Sequence, residues 1–394
     1  MQAERRSNMA VLDVWSHIEP RFGGVGPAAS ALATAVGRCG GMHVHQIAMC
    51  DQFEQKLADG IDPRVERIDR ASFRGWADLQ LSTVLRDAVA AADVCHVHGL
   101  WEAHSLAVRR LARQMGKPVV SSVHGMLERW EMENKRIKKS VYSWLLERPS
   151  LARSFCLRAL SEREVGDYRR FGVRRPIALV PNGINAIERV DTAALLEKFP
   201  ELAGKAIVLF LGRIHHKKGI LNLLQAWKAV AEHRDDAHLV IAGPDYVGTL
   251  IRARQIITDL SLEKTVTITG IISGQTKLAA LSAARYFCLP SYSEGFSVAV
   301  LEALSIGLPA VITPECNIPE VASSGAGVST SNEPAILAET LISCLSASSC
   351  EWQAMSVAAQ NLARSQFDWN VTGKTMHSVY EWLLGGNRPS CIVN

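Results

Sequence analysis

Glu294 and Glu302 stand eight positions apart in the stretch PSYSEGFSVAVLEALSIGLPAVIT (residues 290–313), whose other residues are almost all apolar or small. Pro290 and Gly295 punctuate it. A helix is therefore expected to begin near Phe296 or Ser297, with Glu294 in the preceding loop and Glu302 inside the helix. Gly295 and Phe296 would offer backbone N–H groups at its start. One turn either way, Glu302 has Val298 and Ile306 as neighbours, with Ala299 and Ser305 three positions away. Taking a carboxylate out of water costs on the order of several kcal/mol unless partners compensate. A vicinal diol is one partner that fits, since two carboxylate oxygens accept from two hydroxyls. A plainer reading stands beside it, in which Ser291 and Glu294 form a capping box and Glu302 meets an internal arginine.

A second constellation follows the apolar run AIVLFLG: Arg213, His215, His216, Lys217, Lys218 and Gly219, in RIHHKKGI. At the carboxyl end of a buried strand, Arg and Lys suit a diphosphate. The alternative is a solvated basic loop. A third, GGVG (Gly23, Gly24, Val25, Gly26), follows MAVLDVW and leads into an apolar helix-like run. Glycines there let backbone amides approach an anion at a helix N-terminus. They equally suit a tight turn, because neither the full dinucleotide spacing nor a Walker lysine is present.

His96 and His98 in CHVHGLW share a strand face, and His124 ends the run VVSSVHG. An H-x-H pair can ligate metal, but the sequence offers no third ligand at a telling distance, so no metal site is expected. A histidine at a strand end suits hydrogen bonding to substrate better. No two aspartates stand two apart, so a D-x-D metal–diphosphate clamp is missing. A bound diphosphate would have to be neutralised by protein cations instead. Finally, Lys135, Arg136, Lys138 and Lys139 fall within five residues, near Trp130, Tyr142, Trp144 and Leu145. Basic heads among aromatic and aliphatic side chains could rest on an anionic bilayer. Glu128, Glu131 and Glu133 dilute that charge and keep open the reading of a solvated helix face.

The elements that must position these residues are short β-like runs alternating with longer helix-like runs along the whole chain. Such alternation implies βαβ units and parallel sheets, and continuously apolar strands are those of sheets covered on both faces. At 394 residues two domains are expected. The turn formers Pro181, Asn182 and Gly183 and the polar stretch after them mark the break. We read 1–184 as one doubly wound domain, 185–365 as another, and 366–394 as a helix, without a following strand, that returns to the first. A net charge of +4 does not argue for nucleic acid. Nine scattered cysteines with no C-x-x-C suit reduced thiols rather than a disulfide framework. No signal-type segment or spanning apolar run is evident, so a cytoplasmic protein is expected, with any membrane contact peripheral.

Taken in order, GGVG, HVHGLW, SVHG, VPNGI, LGRIHHKKGI, VIAGP and the E-x7-E stretch resemble the retaining glycosyltransferases of family 4, which have the GT-B fold. The resemblance implies two Rossmann-like domains facing a cleft, the first binding acceptor and the second a nucleotide sugar. Arg213 and Lys218 would hold the donor diphosphate, and Glu302 both ribose hydroxyls. Glu294 would contact the sugar hydroxyls beside the amides of Gly295, Phe296 and Ser297. His124 would contact the donor sugar near the reacting carbon, while Gly23, Gly24 and Gly26 would approach phosphate or acceptor. It further implies no cofactor, no metal, front-face attack, and a glycan acceptor, lipid-linked, in exopolysaccharide, capsule or lipopolysaccharide synthesis. Two rivals remain open: a GT-B enzyme of other chemistry (epimerase or disaccharide synthase), and a non-catalytic nucleotide-sugar-binding subunit. His215 and His216 receive no role.

Overall fold

The structure, a computed structural model, describes residues 9–17, 24–50, 65–69, 79–128 and 142–394. The chain divides into two units: Met1–Gly183 with Trp369–Asn394, and Ile184–Asp368.

The first unit is built on eight strands: β1 (Met9–Ser16), β2 (Met42–Cys50), β3 (Glu66–Asp69), β4 (Val94–His98), β5 (Val119–Ser122), β6 (Cys156–Ala159), β7 (Ile177–Leu179) and, far along the chain, β14 (Ile392–Val393). Their order is β14-β7-β6-β5-β4-β1-β2-β3. All neighbours run parallel except β14 and β7. Strand β4 is buried at every position, as a central strand covered on both faces must be. The parallel register sets Asp13 of β1 beside His96 of β4, and His98 beside Ser122 of β5. Helix α1 (Val25–Arg38) follows β1, α2 (Leu79–Ala91) precedes β4, α3 (Ala103–Gln114) follows it, and α4 (Glu162–Arg170) follows β6.

The second unit carries a parallel sheet of six strands in the order β10-β9-β8-β11-β12-β13. These are β8 (Ala206–Leu211), β9 (Ala237–Ala242), β10 (Val266–Gly270), β11 (Tyr286–Leu289), β12 (Ala310–Ile312) and β13 (Gly327–Ser329). Helices α5 (Ile220–His233), α6 (Thr249–Asp259), α7 (Gly274–Ala283), α8 (Val298–Ser305), α9 (Pro334–Ser346) and α10 (Ser349–Gln366) connect and cover them. The strand order reverses direction at β8 and β11, and the loops after these two strands carry the basic constellation and the glutamate stretch. A switch point of this kind is where open α/β sheets bind ligands.

Helix α11 (Trp369–Leu383) belongs to the first unit, where it packs on α1. Gly373 makes the approach close: a Cβ there would lie 2.8 Å from Ala35. The helix thus returns to the first unit as expected, but the expected absence of a following strand is corrected. Residues 392–393 pair antiparallel with β7, and Leu179 N–H donates to the Cys391 carbonyl at 2.9 Å. A strand of two residues is too short to leave a period in the sequence. The nine cysteines are all free thiols. No described helix is long and apolar enough to cross a membrane.

Candidate functional site

In the second unit the site is built at the carboxyl ends of β8 and β11. Arg213, two residues past β8, is exposed, whereas Ile214 is buried beneath the loop. A single 3-10 turn, His216–Lys218, follows. His215 caps it, with ring Nδ1 accepting from Lys217 N–H at 3.0 Å. Gly219 then turns the chain with φ 72°, and a Cβ there would lie 1.8 Å from the Pro290 carbonyl oxygen. Only glycine permits that approach. It brings Lys218 against the loop after β11, where Tyr292 N–H also donates to the Lys217 carbonyl at 2.8 Å.

Lys218 Nζ lies 2.6 Å and 2.7 Å from the two oxygens of Glu294. Ser291 Oγ donates to Glu294 Oε1 at 2.6 Å. The backbone of Glu294 is held as well: its N–H reaches the Glu315 carbonyl at 3.1 Å, and its carbonyl accepts from Asn317 Nδ2. Glu294 is therefore a buried carboxyl group with a fixed backbone and a lysine at its head. The Ser291–Glu294 contact is real, but it caps no helix: α8 starts at Val298, with Ser297 as N-cap. That is one residue beyond the expected start.

Within α8, Val300, Leu301, Ala303 and Leu304 are buried and Glu302 is half-buried. The partner of Glu302 is Lys277 of α7, with Nζ at 2.6 Å from Oε1, and not an arginine. Nothing in the sequence pattern marks this lysine, which lies 25 residues upstream on a helix of little amphipathic pattern. The structure thus joins Glu294 to Lys218 and Glu302 to Lys277. Among the described residues, neither pair is tied to Arg213 by a hydrogen bond or ion pair.

In the first unit, Gly23 lies outside the described residues, while Gly24 is the exposed N-cap of α1. Gly26 is buried, and a Cβ there would meet the His17 carbonyl oxygen at 2.5 Å and the Trp15 ring at 2.8 Å. Close packing alone is enough to require glycine at this position. A small cavity of about 50 Å³ is lined by Gly26, Ser16, His17, His98, Gly99 and Glu102, among others.

His96 and His98, both buried, lie with ring centroids 4.0 Å apart and ring planes tilted by 30°. Their neighbours were not legible in the sequence. His96 Nδ1 meets Tyr380 OH at 2.7 Å and its Nε2 meets Ser122 Oγ at 2.7 Å. His98 Nε2 faces Asp13 Oδ1 at 2.7 Å, and its Nδ1 lies 2.8 Å from Nε2 of His124. His124 itself adopts φ 53°, uncommon for a residue with a side chain. Burial, the His98 imidazole and the buried Arg158 guanidinium push both His96 and His124 well below the usual histidine range, so both are neutral. Burial in turn lowers Arg158 to about 10. The fold does supply the third group that the sequence lacked for a metal, since Asp13, His96 and His98 bring their ligand atoms within 4.8 Å. Every ring nitrogen of the two histidines, however, already faces a protein partner. Three of those four nitrogens are hydrogen-bonded, while His98 Nε2 and Asp13 Oδ1 face each other without meeting hydrogen-bond geometry.

Lys135, Arg136, Lys138 and Lys139 lie outside the described residues. Just after them, a π-helical turn (Ser143–Glu147) exposes Trp144, Leu145 and Leu146 while burying Glu147 against Arg109 at 2.8 Å.

This architecture, two α/β units each built on a largely parallel sheet, is that of a GT-B protein. Among solved structures, the chain is similar to Anabaena HepE in complex with UDP and glucose (TM-score 0.76, 18% identity, covering 95% of this chain and 100% of that one). It is likewise similar to WaaG, a glycosyltransferase involved in lipopolysaccharide biosynthesis (TM-score 0.68, 16% identity, covering 96% and 100%). The model of glycosyl transferases group 1 matches residues 191–360, and that of the glycosyl transferase 4-like domain matches residues 23–183. The chain belongs to the GT-B glycosyltransferases of the family 4 type. Among characterised relatives, it is 26% identical over 250 residues to a GDP-mannose:cellobiosyl-diphosphopolyprenol alpha-mannosyltransferase of Xanthomonas campestris, spanning 62% of this chain and 62% of the relative's length. It is 28% identical over 232 residues to a UDP-Gal:alpha-D-GlcNAc-diphosphoundecaprenol alpha-1,3-galactosyltransferase of Escherichia coli, spanning 56% and 57%.

Proposed function

We propose that the chain moves a sugar from a nucleotide-diphosphate sugar to a hydroxyl of a lipid-linked glycan, with retention at the anomeric carbon, in the building of a bacterial surface polysaccharide. The observation that carries this reading is the Lys218–Glu294 contact at the carboxyl ends of two adjoining strands. A buried carboxylate and a lysine held together there have a use when a polyhydroxylated, anionic ligand arrives. The named activities of the two characterised relatives support the substrate class.

In this reading, Lys218 and Arg213 meet the diphosphate, so that side-chain cations rather than a divalent ion take up the charge. Glu294 accepts from hydroxyls of the donor sugar, beside the backbone amides of Gly295, Phe296 and Ser297. Glu302 accepts from the ribose hydroxyls, and His124 bonds a hydroxyl of the sugar substrate. Gly24 and Gly26 line the approach of phosphate or acceptor. As the bond from the anomeric carbon to phosphate oxygen breaks, charge grows on the leaving diphosphate. A preorganised lysine there is worth about 3 kcal/mol in the transition state. The acceptor oxygen forms the new bond on the face that phosphate leaves, and its proton passes to a phosphate oxygen. The residues that would hold a membrane-borne acceptor near a bilayer are Lys135, Arg136, Lys138 and Lys139, joined by the exposed Trp144, Leu145 and Leu146.

Transfer from UDP-, GDP- or ADP-sugars to a polyprenyl-diphosphate saccharide, followed by product analysis, tests the proposal. Full rate in the presence of a chelator and an α-linked product are expected. Release of free sugar without transfer, or no binding of any nucleotide sugar, would overturn it. Flotation with anionic liposomes checks the membrane surface, and unchanged binding after neutralising Lys135–Lys139 removes that part.

A further inference from the structure

The glycosyltransfer reading gives His124 a contact with a sugar hydroxyl but does not say which ring nitrogen makes it, or whether that nitrogen gives or accepts a hydrogen. The buried cluster answers both. Asp13 is a charged residue inside an otherwise apolar strand, 2% exposed, with its Oδ1 set 2.7 Å from His98 Nε2. The carboxylate lies off the line of the ring N–H, and these two atoms have no better partner. A carboxylate has no hydrogen to give. The hydrogen of His98 therefore belongs on Nε2, since a bare Nε2 would set its lone pair against the Asp13 oxygen. That leaves His98 Nδ1 as an acceptor, and the atom facing it at 2.8 Å is Nε2 of His124. His124 is neutral and has one ring hydrogen, which this contact places on Nε2.

We propose that Asp13 and His98 are positioning residues that fix the tautomer of His124, leaving its Nδ1 as a bare acceptor for a ligand hydroxyl. The inference rests on the glycosyltransfer reading only in naming that hydroxyl a sugar's. Among the described residues, Nδ1 of His124 has no hydrogen-bond partner, and the ring is partly exposed. His96, whose ring lies beside that of His98, does not impose the order, because its partners Tyr380 and Ser122 are hydroxyls that can give or accept. Among the groups facing the ring nitrogens of His96 and His98, Asp13 is the one whose chemistry runs in a single direction. The arrangement orders protons through two imidazoles, much as an aspartate beside a catalytic histidine selects its tautomer.

The test is long-range ¹H–¹⁵N NMR of the full chain labelled at histidine, at neutral pH, with His98 and His124 assigned from single glutamine variants. Both rings are expected to carry hydrogen on Nε2 and none on Nδ1. A doubly protonated His98, or hydrogen on Nδ1 of His124, overturns the proposal without touching the glycosyltransfer reading, since no substrate is present. In Asp13→Asn the amide can donate to Nε2, so a detectable fraction of both rings moves its hydrogen to Nδ1; no change in either ring counts against the proposal. In transfer assays, Asp13→Asn is expected to lower kcat about tenfold, the worth of one ordinary hydrogen bond, with acceptor KM little changed. Because Asp13 acts through His124, adding Asp13→Asn to His124→Ala should cost nothing further. Multiplying losses would show that Asp13 acts by another route. If Asp13→Asn does not fold, the wild-type tautomers still decide the matter.

Discussion

Lys218 Nζ touches both oxygens of Glu294, at 2.6 Å and 2.7 Å, so each residue is the other's main charge partner. Removing either leaves the other largely buried without compensation. Lys218→Met and Glu294→Gln are each expected to lower stability by about 1–3 kcal/mol, the range for hydrogen bonds to charged groups. The double variant should lose less than their sum by about 1 kcal/mol or more. Urea denaturation of the four proteins measures this; strictly additive losses would show that the pair is not coupled.

Glu302 is tied at one oxygen by Lys277, and both side chains are partly exposed (18% and 30%). An ion pair so placed contributes little to stability. Lys277→Met should therefore leave the melting temperature nearly unchanged. Glu302→Ala should weaken nucleotide-sugar binding about tenfold in calorimetry, and a normal affinity would remove Glu302 from the ribose role.

Gly219 holds the loop after β8 against the loop after β11. In Gly219→Ala the new methyl would sit 1.8 Å from the Pro290 carbonyl oxygen, at φ 72°. Backbone on one side and a left-handed conformation on the other leave it no relaxed position. A loss of more than about 2 kcal/mol is expected, well beyond the ordinary penalty for alanine at positive φ. A thermal melt close to that of the wild type would contradict the geometry.

The buried ionisable groups of the first unit give its stability a pH dependence with a definite sign. His96 and His124 stay neutral when folded but take up protons near pH 6.5 when unfolded, so their contribution is lost as pH falls below that value. Each costs about 1.4 kcal/mol per pH unit in that window. Glu164 runs the other way. Its oxygens accept from Gly125 N–H at 2.6 Å and Leu160 N–H at 2.7 Å, yet burial pushes its carboxyl up to about 7. The folded form therefore keeps a proton that the unfolded chain releases near pH 4.3, and that contribution disappears as pH rises through 7. Together the three groups place a stability maximum near pH 6.5. The stability difference between wild type and Glu164→Gln should shrink between pH 5 and 7.5; a growing difference would reverse the sign argued here.

The fold was legible because strands such as AIVLFL (β8) and YFCL (β11) are apolar throughout, and sheets covered on both faces ask for that. The loops carrying Lys218 and Glu294 were legible because Gly219, Pro290 and Gly295 interrupt those runs at strand ends. Lys277 was not: one lysine on a weakly amphipathic helix gives no sign that it faces Glu302 on another. The partner of His96 is Tyr380, 284 residues away on a helix that packs by way of Gly373 and Ala35. Contacts of that span leave no local period. Asp13 did leave a signal, a lone charge in VLDVW, but its meaning depended on the register that sets β1 beside β4.

The chain leaves the first unit after Gly183 and rejoins it at Trp369, whose ring packs where a Gly183 side chain would be, 2.5 Å from an added Cβ. This inverts the usual order of birth and maturity on the ribosome, where the amino-terminal domain folds first. The intervening unit has all its strands before α11 and β14 are synthesised. The first unit, although begun earlier, waits for residues 369–394 before Tyr380 can reach His96 and Ile392 can pair with β7. During translation the half-made sheet is the part that needs shelter, and the insertion is the part that does not.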